Sequence, residues 1–348
     1  MFSFLSLGFT FFKMRLSSNV IISLCATLTH FTGFVQGEDT CDNDSCQKVQ
    51  PCREFNIKKI GPDSKSIIYG EAHGRLGNQL LGYALLAHFQ DELGMEAYIN
   101  AECRQYLLGI FTEDSITVPV IDSVYCDPKK IPFTPYHSHI REILTDKSYR
   151  TGKVLQFFPT HPKFPFGYRP EDHWSKEQEA MQTKYVHFLR ETLKFKPSIM
   201  TKMKKTMKGV AKKLGLKPKE VTYVGIHNRR TDGLKFMKDN FQQDPLDADY
   251  FHDAMEYFRE EYENVAFLLV SDDMKWSREN IENREGDLFF VSDGNGDNPE
   301  SVGFDLAILR YSNHTIITRG TYSMWGSMLC NGEYYTEYGS IVPTHLQG

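Results

Sequence analysis

The chain has 348 residues, a formal net charge of −5, 41% hydrophobic residues and 24% charged residues. This composition is that of a globular protein, and the length is enough for two domains of ordinary size, each with its own core. The slightly acidic charge gives no general argument for nucleic-acid binding.

The N-terminal segment is unusually apolar. Residues 1–12 are apolar, Lys13 and Arg15 follow, and Val20–Val35 is again largely apolar. The second run is short for a membrane span, so two interpretations stay open. It is a signal-anchor with a short basic cytoplasmic tail, or a cleaved signal peptide with Met14 as an alternative start. Both predict that the bulk of the chain enters the secretory pathway.

Six cysteines follow that segment. They are Cys41, Cys46, Cys52, Cys103, Cys126 and Cys330. In an oxidising compartment they can form up to three disulfides. The first three lie in a polar stretch, Glu38–Asp63, that is typical of a stem. For Cys103, Cys126 and Cys330 the alternative to a disulfide is a buried free thiol. The chain has no CxxC pair, which argues against a zinc site.

A first α/β unit follows the polar stretch. Ile67–Tyr69 is predicted to be a short buried strand, and a glycine-rich turn, Gly70–Gly77, follows it. Gln79–Leu93 has the apolar spacing of a helix that ends at Gly94, and Glu96–Asn100 resumes as a strand. A strand–loop–helix–strand unit is the start of an α/β domain.

The middle of the chain is less regular. Proline-rich stretches near residues 128–135 and 159–170 predict surface loops, and Trp174–Leu193 predicts a helix. Met200–Leu216 is a second helical segment, which carries six lysines. A solvated helix face is a simpler interpretation of these lysines than a nucleic-acid or membrane contact.

A second α/β unit begins at Val221, and a domain boundary is expected near residues 215–220. Its predicted elements are strand Val221–Ile226, helix Ala248–Tyr262, strand Ala266–Val270, helix Lys275–Glu282, strand Asp287–Val291, helix Asp305–Tyr311, strand Thr315–Thr318 and helix Thr321–Leu329. Alternating strands and helices favour a parallel sheet.

Two adjacent arginines, Arg229 and Arg230, follow the first strand of this unit. Ligands of open α/β sheets lie at the carboxyl ends of the strands, and two guanidinium groups there predict a cationic fork for a phosphate or carboxylate. A diphosphate leaving group gains negative charge as its bond to a sugar breaks, and preorganised donors lower that barrier. Taken alone, the pair could equally be a surface salt bridge.

Two glycine-bearing turns add groups suited to a ligand. Thr321 and Ser323 open a helix after Gly320, so their hydroxyls and the first helical amides are predicted to cradle phosphate, unless they only cap the helix. Gly74 and Gly77 permit close approach of the backbone to a ligand. Their turn lacks the endings of nucleotide-triphosphate and dinucleotide loops.

Metal and histidine chemistry are weakly indicated. Asp247-Ala248-Asp249 matches the DxD pattern of manganese-dependent transferases, but it lies where a helix is expected to begin. Residues 293–297 imitate half of a calcium loop and predict a polar turn. For His73 and His227 a structural role is the simpler expectation. We predict no bound metal and no cofactor.

The chain contains two glycosylation sequons, at Asn43 and Asn313. The first lies in the polar stretch and is expected to carry a glycan. The second immediately precedes a buried strand, so modification of Asn313 is the weaker expectation.

Four ordered blocks of the sequence resemble the α-1,2-fucosyltransferases of the galactoside 2-α-L-fucosyltransferase type. They are Gly74–Gln79 (GRLGNQ), Val224–Asp232 (VGIHNRRTD), Phe267–Ile281 (FLLVSDDMKWSRENI) and Asp305–Glu333. The resemblance implies an α/β fold of GT-B type, with two Rossmann-like domains that face each other across a cleft. It also implies inverting, metal-independent transfer of L-fucose from GDP-β-L-fucose.

Motif position implies a role for each of several residues. Arg229 would contact the donor diphosphate with support from Arg230, His227 and Asp232 would shape that site, Asp305 would read the guanine, Thr321 and Ser323 would bind phosphate oxygens, and Arg75, Asn78 and Gln79 would approach the fucose and the acceptor hydroxyl.

The resemblance also suggests how the chain is organised. We expect a cytoplasmic tail with a signal-anchor or signal peptide (1–37), a stem (38–66), an N-terminal α/β domain on the acceptor side (67–218) and a C-terminal donor-binding domain (219–348). A signal-anchor would make the protein a single-pass type II membrane protein of the Golgi with a luminal catalytic domain. A cleaved signal peptide would make it secreted.

The chain departs from the family pattern at four positions. Asn228 replaces an apolar residue that is expected to point into the sheet, and Thr231 replaces a glycine. Asp272 stands where many members have asparagine, and Arg319 where an apolar residue is common. These changes leave the donor chemistry plausible but put the identity of the acceptor in doubt.

The expected reaction is a single in-line displacement in which an acceptor hydroxyl, galactose O2, attacks the anomeric carbon as GDP leaves. Asp232 is the one candidate base inside a matched motif, and the alternative role for a carboxylate beside two arginines is to orient them. Two alternatives stay open. The acceptor could be a protein hydroxyl or the core of an N-glycan, or the chain could be an inactive secreted glycan-binding protein.

Overall fold

The computed structural model describes residues 52–71, 74–136, 143, 146–157, 187–330 and 332–342. The predicted tail and anchor, most of the stem, Asn43, His73 and most of Trp174–Leu193 lie outside these residues. Within the described residues, no helix combines the length and the apolar character needed to cross a membrane.

The described residues form two sheets with flanking helices. The strands are β1 (Ile67–Gly70), β2 (Glu96–Ile99), β3 (Thr134–Tyr136), β4 (Val154–Phe157), β5 (Thr222–Asn228), β6 (Val265–Ser271), β7 (Leu288–Phe290), β8 (His314–Ile317), β9 (Tyr334–Thr336) and β10 (Gly339–Ile341). The α-helices with both ends described are α1 (Leu76–Asp91), α2 (Ala101–Leu108), α3 (Pro197–Lys213), α4 (Thr231–Phe241), α5 (Ala248–Glu261), α6 (Met274–Asn280), α7 (Pro299–Tyr311) and α8 (Thr321–Leu329).

The first sheet has the strand order β2-β1-β4-β3, and its neighbouring strands are parallel. Helix α1 connects β1 to β2 and buries Leu80 and Leu85 beside Ile68 of β1. The chain leaves this helix through Gly94, whose φ of +67° suits glycine. The predicted strand–loop–helix–strand unit and its stop signal are therefore confirmed.

The second sheet has the strand order β10-β9-β8-β5-β6-β7. All its pairs are parallel except β9 with β10. From β5 the chain first moves outward through β6 and β7 and then returns to the other side of β5 with β8. In such sheets a crevice opens where the order reverses, here at the carboxyl ends of β5 and β8.

Strand β6 shows why the sequence of a central strand in this sheet is an almost unbroken apolar run. All seven of its residues are buried. Ala266, Leu268 and Val270 pack into one apolar cluster, while Phe267 and Leu269 pack into another on the opposite face. Helices cover both faces of the sheet, so neither set of alternating side chains meets water.

The two sheets are joined through helices α1 and α8. The Trp325 indole donates a hydrogen bond to the carbonyl oxygen of Gly77 at 2.9 Å. A Cβ on Gly77 would lie 2.5 Å from both Thr321 Oγ1 and the amide nitrogen of Tyr322. The glycine therefore permits close approach of helix α8, and the prediction that it admits a ligand is wrong.

Residues 52–66, which we had assigned to the stem, pack against the first sheet. Cys52 forms a disulfide with Cys126, and the amide of Arg53 donates to the carbonyl oxygen of Val124 at 2.9 Å. The interpretation of Cys126 as a buried free thiol is therefore wrong. Cys103 and Cys330 are buried thiols, as that interpretation expected.

Three helices differ from the predicted elements. Helices α2 and α4 were not predicted, since α2 is short and the interior Gly233 weakens the helical signal of α4. Helix α7 begins at Pro299 rather than Asp305. Asn298 caps it by accepting the amide hydrogen of Glu300 at 2.9 Å, and proline occupies the first turn, where it needs no partner.

Candidate active site

The candidate site lies in the crevice at the carboxyl ends of β5 and β8. Strand β5 ends at Asn228 and β8 at Ile317. Arg229, which directly follows β5, donates its amide hydrogen to the hydroxyl oxygen of Thr318, which directly follows β8, at 2.9 Å. This bond ties together the two loops that form the crevice.

The Arg229 side chain is held between two glycines. A Cβ on Gly233 would lie 2.7 Å from Arg229 Nε, and a Cβ on Gly320 would collide with Nη1. Gly320 is the N-cap of α8 and has a φ of +118°, a value that other residues rarely adopt. The guanidinium therefore lies at the positive end of a helix dipole, and the two features together favour an anion.

The Arg230 side chain has different surroundings. It is 9% exposed, and its Cζ lies 3.4 Å from the ring centroid of Trp276. Its amide donates to Asp272 Oδ1 at 2.8 Å. The two arginines line one small cavity of about 30 Å³. Their guanidinium groups have different neighbours, however, and do not form the single cationic fork that the sequence predicts.

Arg319 lines the same cavity and has its charge paired. Its Nε donates to Glu337 Oε1 at 2.8 Å, its Nη2 contacts the other oxygen of that carboxylate, and its Nη1 donates to the carbonyl oxygen of Asp244 at 2.7 Å. Both partners of the ion pair are mostly buried. Arg319 thus joins the loop after β8 to the turn between β9 and β10.

Arg75 links the first sheet's turn to the second sheet. Its Nη1 lies 3.0 Å from Asp272 Oδ2 and 3.2 Å from Asp232 Oδ1. Asp232 Oδ2 in turn lies 3.4 Å from Arg229 Nη2. Burial alone would raise the pKa of Asp272, but hydrogen bonds from Thr231, Arg230 and Arg75 bring it below its ordinary value.

His227 is a buried link between β5 and α8. Its Nδ1 lies 2.6 Å from the Ser323 hydroxyl, and its ring lies 4.7 Å from that of Tyr322. Burial lowers the pKa of His227 to about 4, so the ring is neutral at pH 7. Ser323 is completely buried. Its predicted contact with a phosphate oxygen would require this bond to open.

The other residues predicted from the first turn face α8 or their own loop. The Thr321 hydroxyl donates to Asn78 Oδ1 at 2.9 Å. Gln79 is buried, and its Nε2 donates to the carbonyl oxygen of Gly74 at 3.0 Å. Asn78 and Thr321 are thus brought together at the start of α8, while Gln79 holds the shape of the glycine-rich turn.

Asp305 lies on α7. The Ser292 hydroxyl donates to its Oδ2 at 2.7 Å, and its Oδ1 is buried without a hydrogen-bond partner among the described residues. Burial raises the pKa of Asp305 well above its ordinary value. A desolvated carboxyl oxygen that lacks a donor is suited to receive the N–H groups of a purine base.

Three other predicted residues have structural surroundings. Asn228 is buried in the sheet, and its Nδ2 donates to Ser277 Oγ at 3.0 Å. Asp247 caps α5 by accepting the amide hydrogen of Tyr250 at 3.1 Å, which confirms the helix-start interpretation. Asn313 is exposed, and its Oδ1 accepts the amide hydrogen of Tyr223 at 2.9 Å, so its modification stays a prediction.

Sequence reasoning assigned no role in the site to three residues that shape it. Thr318 and Asp272 accept the amides of the two arginines, and Trp276 lies under Arg230. Thr318 and Asp272 directly follow strands that neighbour β5, and that position could have identified them. Nothing in the local sequence indicates the partner of Trp276.

Comparison with known proteins places the chain in a family. Residues 42–336 match the model of glycosyl transferase family 11. Galactoside alpha-(1,2)-fucosyltransferase 2 of Gorilla gorilla gorilla is 30% identical over 286 residues, which cover 81% of this chain and 75% of that protein. Galactoside alpha-(1,2)-fucosyltransferase 1 of Mus musculus is 28% identical over 290 residues, with coverage of 81% and 70%.

Solved structures are matched at lower sequence identity. Fucosyltransferase NodZ from Bradyrhizobium has a TM-score of 0.47 at 12% identity, over 80% of this chain and 99% of that one. A mutant of Arabidopsis thaliana FUT1 in complex with GDP has a TM-score of 0.49 at 11% identity, over 79% and 70%. The family match spans most of the sequence, and it includes Arg75, Arg229, Arg230 and Asp305. The chain is therefore a glycosyltransferase and belongs to glycosyl transferase family 11.

Proposed function

We propose that the protein transfers L-fucose from GDP-β-L-fucose to the 2-hydroxyl of a terminal β-galactose, with inversion and without a metal ion. The relatives named above support fucose as the sugar and a galactoside as the acceptor. The proposal includes a GT-B-type arrangement, in which residues 67–218 form the acceptor side and residues 219–348 the donor side.

One observation carries the proposal. The Arg229 guanidinium lies at the N-terminus of α8 and at the carboxyl end of β5, with one face between Gly233 and Gly320. A diphosphate seated there would meet a fixed positive charge and helix amides at once. Asp305, with its unpartnered oxygen, would receive the guanine at the other end of the nucleotide.

The proposed step is a balanced displacement. The acceptor oxygen forms a bond to the anomeric carbon of fucose while the bond from that carbon to the β-phosphate oxygen breaks. GDP leaves with the electron pair, and the acceptor proton passes to a base or to water. Arg229 stabilises the charge that develops on the leaving phosphate, a contribution commonly of several kcal/mol.

Asp232 has a location that suits orientation as well as proton transfer. It is half exposed and lies within 3.4 Å of Arg229 and 3.2 Å of Arg75. Its oxygens are thus engaged by the same arginines that would face the donor. We assign it first to positioning these groups and keep its role as general base as the secondary proposal.

Replacement of Arg229 is the decisive test. In Arg229→Ala the full chain should stay folded and lose transfer by about 10²–10³-fold, because a preorganised donor to the leaving group is removed. Arg278→Ala is the matched control, since Arg278 is exposed on α6 and contacts Phe290. Retention of near-normal turnover by Arg229→Ala, with an unchanged melting temperature, would sink the assignment.

The acceptor and the metal requirement need separate measurements. Incubation with GDP-fucose and a panel of lactose-type glycans, N-glycan cores and folded protein domains, with the linkage read by NMR, should give an α-1,2 fucoside of galactose only. Product on a core glycan or protein would favour the alternative acceptor. GDP binding without any product would favour an inactive glycan-binding protein. EDTA should leave the rate unchanged, and strict manganese dependence would contradict the proposal.

We further propose that the protein is a single-pass type II protein of the Golgi membrane, anchored by the segment within residues 1–37, with its catalytic part in the lumen. The disulfide between Cys52 and Cys126 supports an oxidising compartment. Fractionation of cells that express the full chain, with protease protection and N-terminal sequencing, distinguishes an uncleaved anchor from a secreted, cleaved form.

A further inference from the structure

We infer that the solvent-exposed side of helix α3 binds a linear anionic polysaccharide, and we call this surface the lysine face. It consists of Lys202, Lys204, Lys205, Lys208, Lys212 and Lys213. All six side chains are exposed. The inference concerns binding and is independent of the transfer chemistry proposed above.

The lysine face is continuous. On the opposite side of α3, Ile199, Met203, Val210 and Ala211 are buried in the core. With 3.6 residues per turn, the six lysines occupy the remaining half of the helix surface. The six lysines run from Lys202 to Lys213, so the face extends over roughly 17 Å along the helix axis.

Its charge is unbalanced within the helix. Helix α3 contains no aspartate or glutamate, although the whole chain has 45 acidic residues against 40 lysines and arginines. Lys204 and Lys208 are four residues apart, as are Lys208 and Lys212, and like charges at that spacing destabilise a helix. A solvated face normally mixes both signs. An arrangement that lowers helix stability and uses one sign fits a surface with a polyanionic partner.

Four of the lysines, Lys204, Lys205, Lys208 and Lys212, have no carboxylate partner in the described part of the chain. The other two lie over aromatic rings, Lys202 at 4.4 Å from the Phe304 centroid and Lys213 at 5.7 Å from that of Phe289.

Two lysines close to the ends of the helix are paired with carboxylates, by contrast. Lys194 lies 2.7 Å from Asp114, and Lys217 lies 3.6 Å from Glu220. The helix itself thus presents a run of lysines without carboxylate partners, along which an extended polyanion would lie.

The chemistry of the face selects the kind of partner. Helix α3 contains no aromatic residue on which a base could stack, which argues against a nucleic acid. The apolar residues at the edges of the helix, Met200 and Met207, pack against the core and are not available to enter a bilayer. Lysine ammonium groups are point charges without a fixed fork, so they suit sulfates or carboxylates repeated along a flexible glycan.

The test uses the full chain and heparin as a sulfated probe, with no donor present. Replacement of Lys204, Lys205, Lys208 and Lys212 by glutamine should weaken binding by about tenfold or more at 0.15 M salt, since several exposed charge contacts are lost. The dependence of binding on salt should fall with it. Glutamine is nearly as good a helix former as lysine, so the variant should melt no lower than the parent protein.

A matched variant with the same change in net charge serves as the control: Lys58, Lys59, Lys129 and Lys130 to glutamine, all exposed residues outside α3. It should bind heparin like the parent. Equal binding by the parent and the α3 variant would overturn the inference. So would binding to phosphatidylserine vesicles or to single-stranded DNA that is as tight as heparin binding and depends on the same four lysines.

Discussion

The two adjacent arginines have different environments because their amides bind different neighbouring segments. The amide of Arg229 bonds Thr318 after β8, and that of Arg230 bonds Asp272 after β6. The first guanidinium thus reaches the start of α8, and the second lies over Trp276. Only Arg229 has the surroundings of an anion-binding group, so the two residues should differ in function.

Asp305→Asn should separate nucleotide binding from stability. The substitution removes a carboxyl whose raised pKa shows that its charge is unfavourable in the fold, so the free energy of unfolding at pH 7 should stay the same or rise. Affinity for GDP should fall by about tenfold or more, because an amide donor would replace one acceptor that faces the base. Calorimetric titration with GDP and thermal denaturation measure the two effects.

UDP provides the control for that substitution, since it carries the same diphosphate and a different base. We expect UDP to bind more weakly than GDP, and its affinity should be the same for the variant and the parent. A variant that binds GDP as tightly as the parent would show that Asp305 does not contact the base.

Asp272→Asn should loosen the contact between the two sheets. The amide keeps an oxygen for the Arg230 amide but removes the negative charge that faces Arg75. The expected loss is about 1 kcal/mol of unfolding free energy, since Arg75 is partly exposed. Because the pKa of Asp272 is lowered in the fold, this contribution is present above pH of about 4 and is lost as the pH falls further.

Urea denaturation at pH 7 measures that loss. Asp232→Asn is the comparison, since Asp232 contacts the same arginine but its side chain is 53% exposed. Its effect should be smaller, below about 0.5 kcal/mol. Equal losses for the two variants would mean that burial of Asp272 adds nothing to the contact.

At the scale of elements, the main feature is the meeting of the first turns of α1 and α8. Gly77 and Trp325 bring the two backbones together, and Asn78 and Thr321 bond across the contact. Both helices begin at this point, so their amides and the guanidinium of Arg229 share one region. The helix contact therefore positions the candidate donor site.

Gly77→Ala should disrupt this contact. Its Cβ would lie 2.5 Å from the amide nitrogen of Tyr322, which belongs to the backbone and cannot move independently of α8. We expect a loss of about 1–3 kcal/mol in unfolding free energy together with reduced transfer.

Gly209→Ala tests the same substitution in α3, where a Cβ would meet nothing within 4 Å. It should stabilise the protein by about 0.5–1 kcal/mol through helix propensity alone. Denaturation curves of the two variants should therefore shift in opposite directions. A neutral Gly77→Ala would mean that α1 and α8 can separate without loss.

At the scale of the whole molecule, the two sheets share one apolar core. A single cluster contains Ile68 of β1, Leu80 of α1, Leu268 of β6 and Trp325 of α8. The disulfide between Cys52 and Cys126 closes a loop over a sequence separation of 74 residues in the first half. We therefore expect the described part of the chain to unfold as one cooperative unit.

The buried histidine should make this unit sensitive to mild acid. His227 has a folded pKa of about 4 against about 6.5 when unfolded, so the unfolded chain binds the proton first. Its contribution is fully present above pH 6.5 or so and is lost as the pH falls towards 4, by on the order of 3 kcal/mol. Urea denaturation between pH 7.5 and pH 4.5 or so measures this loss.

His227→Gln identifies the group responsible. The variant should be less stable at neutral pH. Its unfolding free energy should fall less steeply between about pH 6.5 and 4, because unfolding would then take up as much as one proton fewer. His314, whose pKa burial also lowers, would account for part of the remaining slope. An identical slope in the variant would rule out His227 as the source.

Much of the architecture could be predicted from local pattern. The run Ala266–Val270 and the spacing of Leu80 and Leu85 identified a strand and a helix, because burial on both faces or on one stripe leaves a periodic signal. Helix α4 gave a weak signal because Gly233 lies inside it. That glycine is explained by its contact with the side chain of Arg229 four residues earlier, which hydrophobic periodicity does not report.

The amino-acid sequence by itself determined the alternation of strands and helices, the motif blocks and the family, because these depend on residues close together in the chain. Only the tertiary structure decided that Arg229 and Arg230 have different surroundings, that Gly77 lies in a contact between two helices and that Ser323 is hydrogen-bonded to His227. Those outcomes depend on side chains from distant segments that fill the same space, and such contacts leave no periodic trace in the sequence.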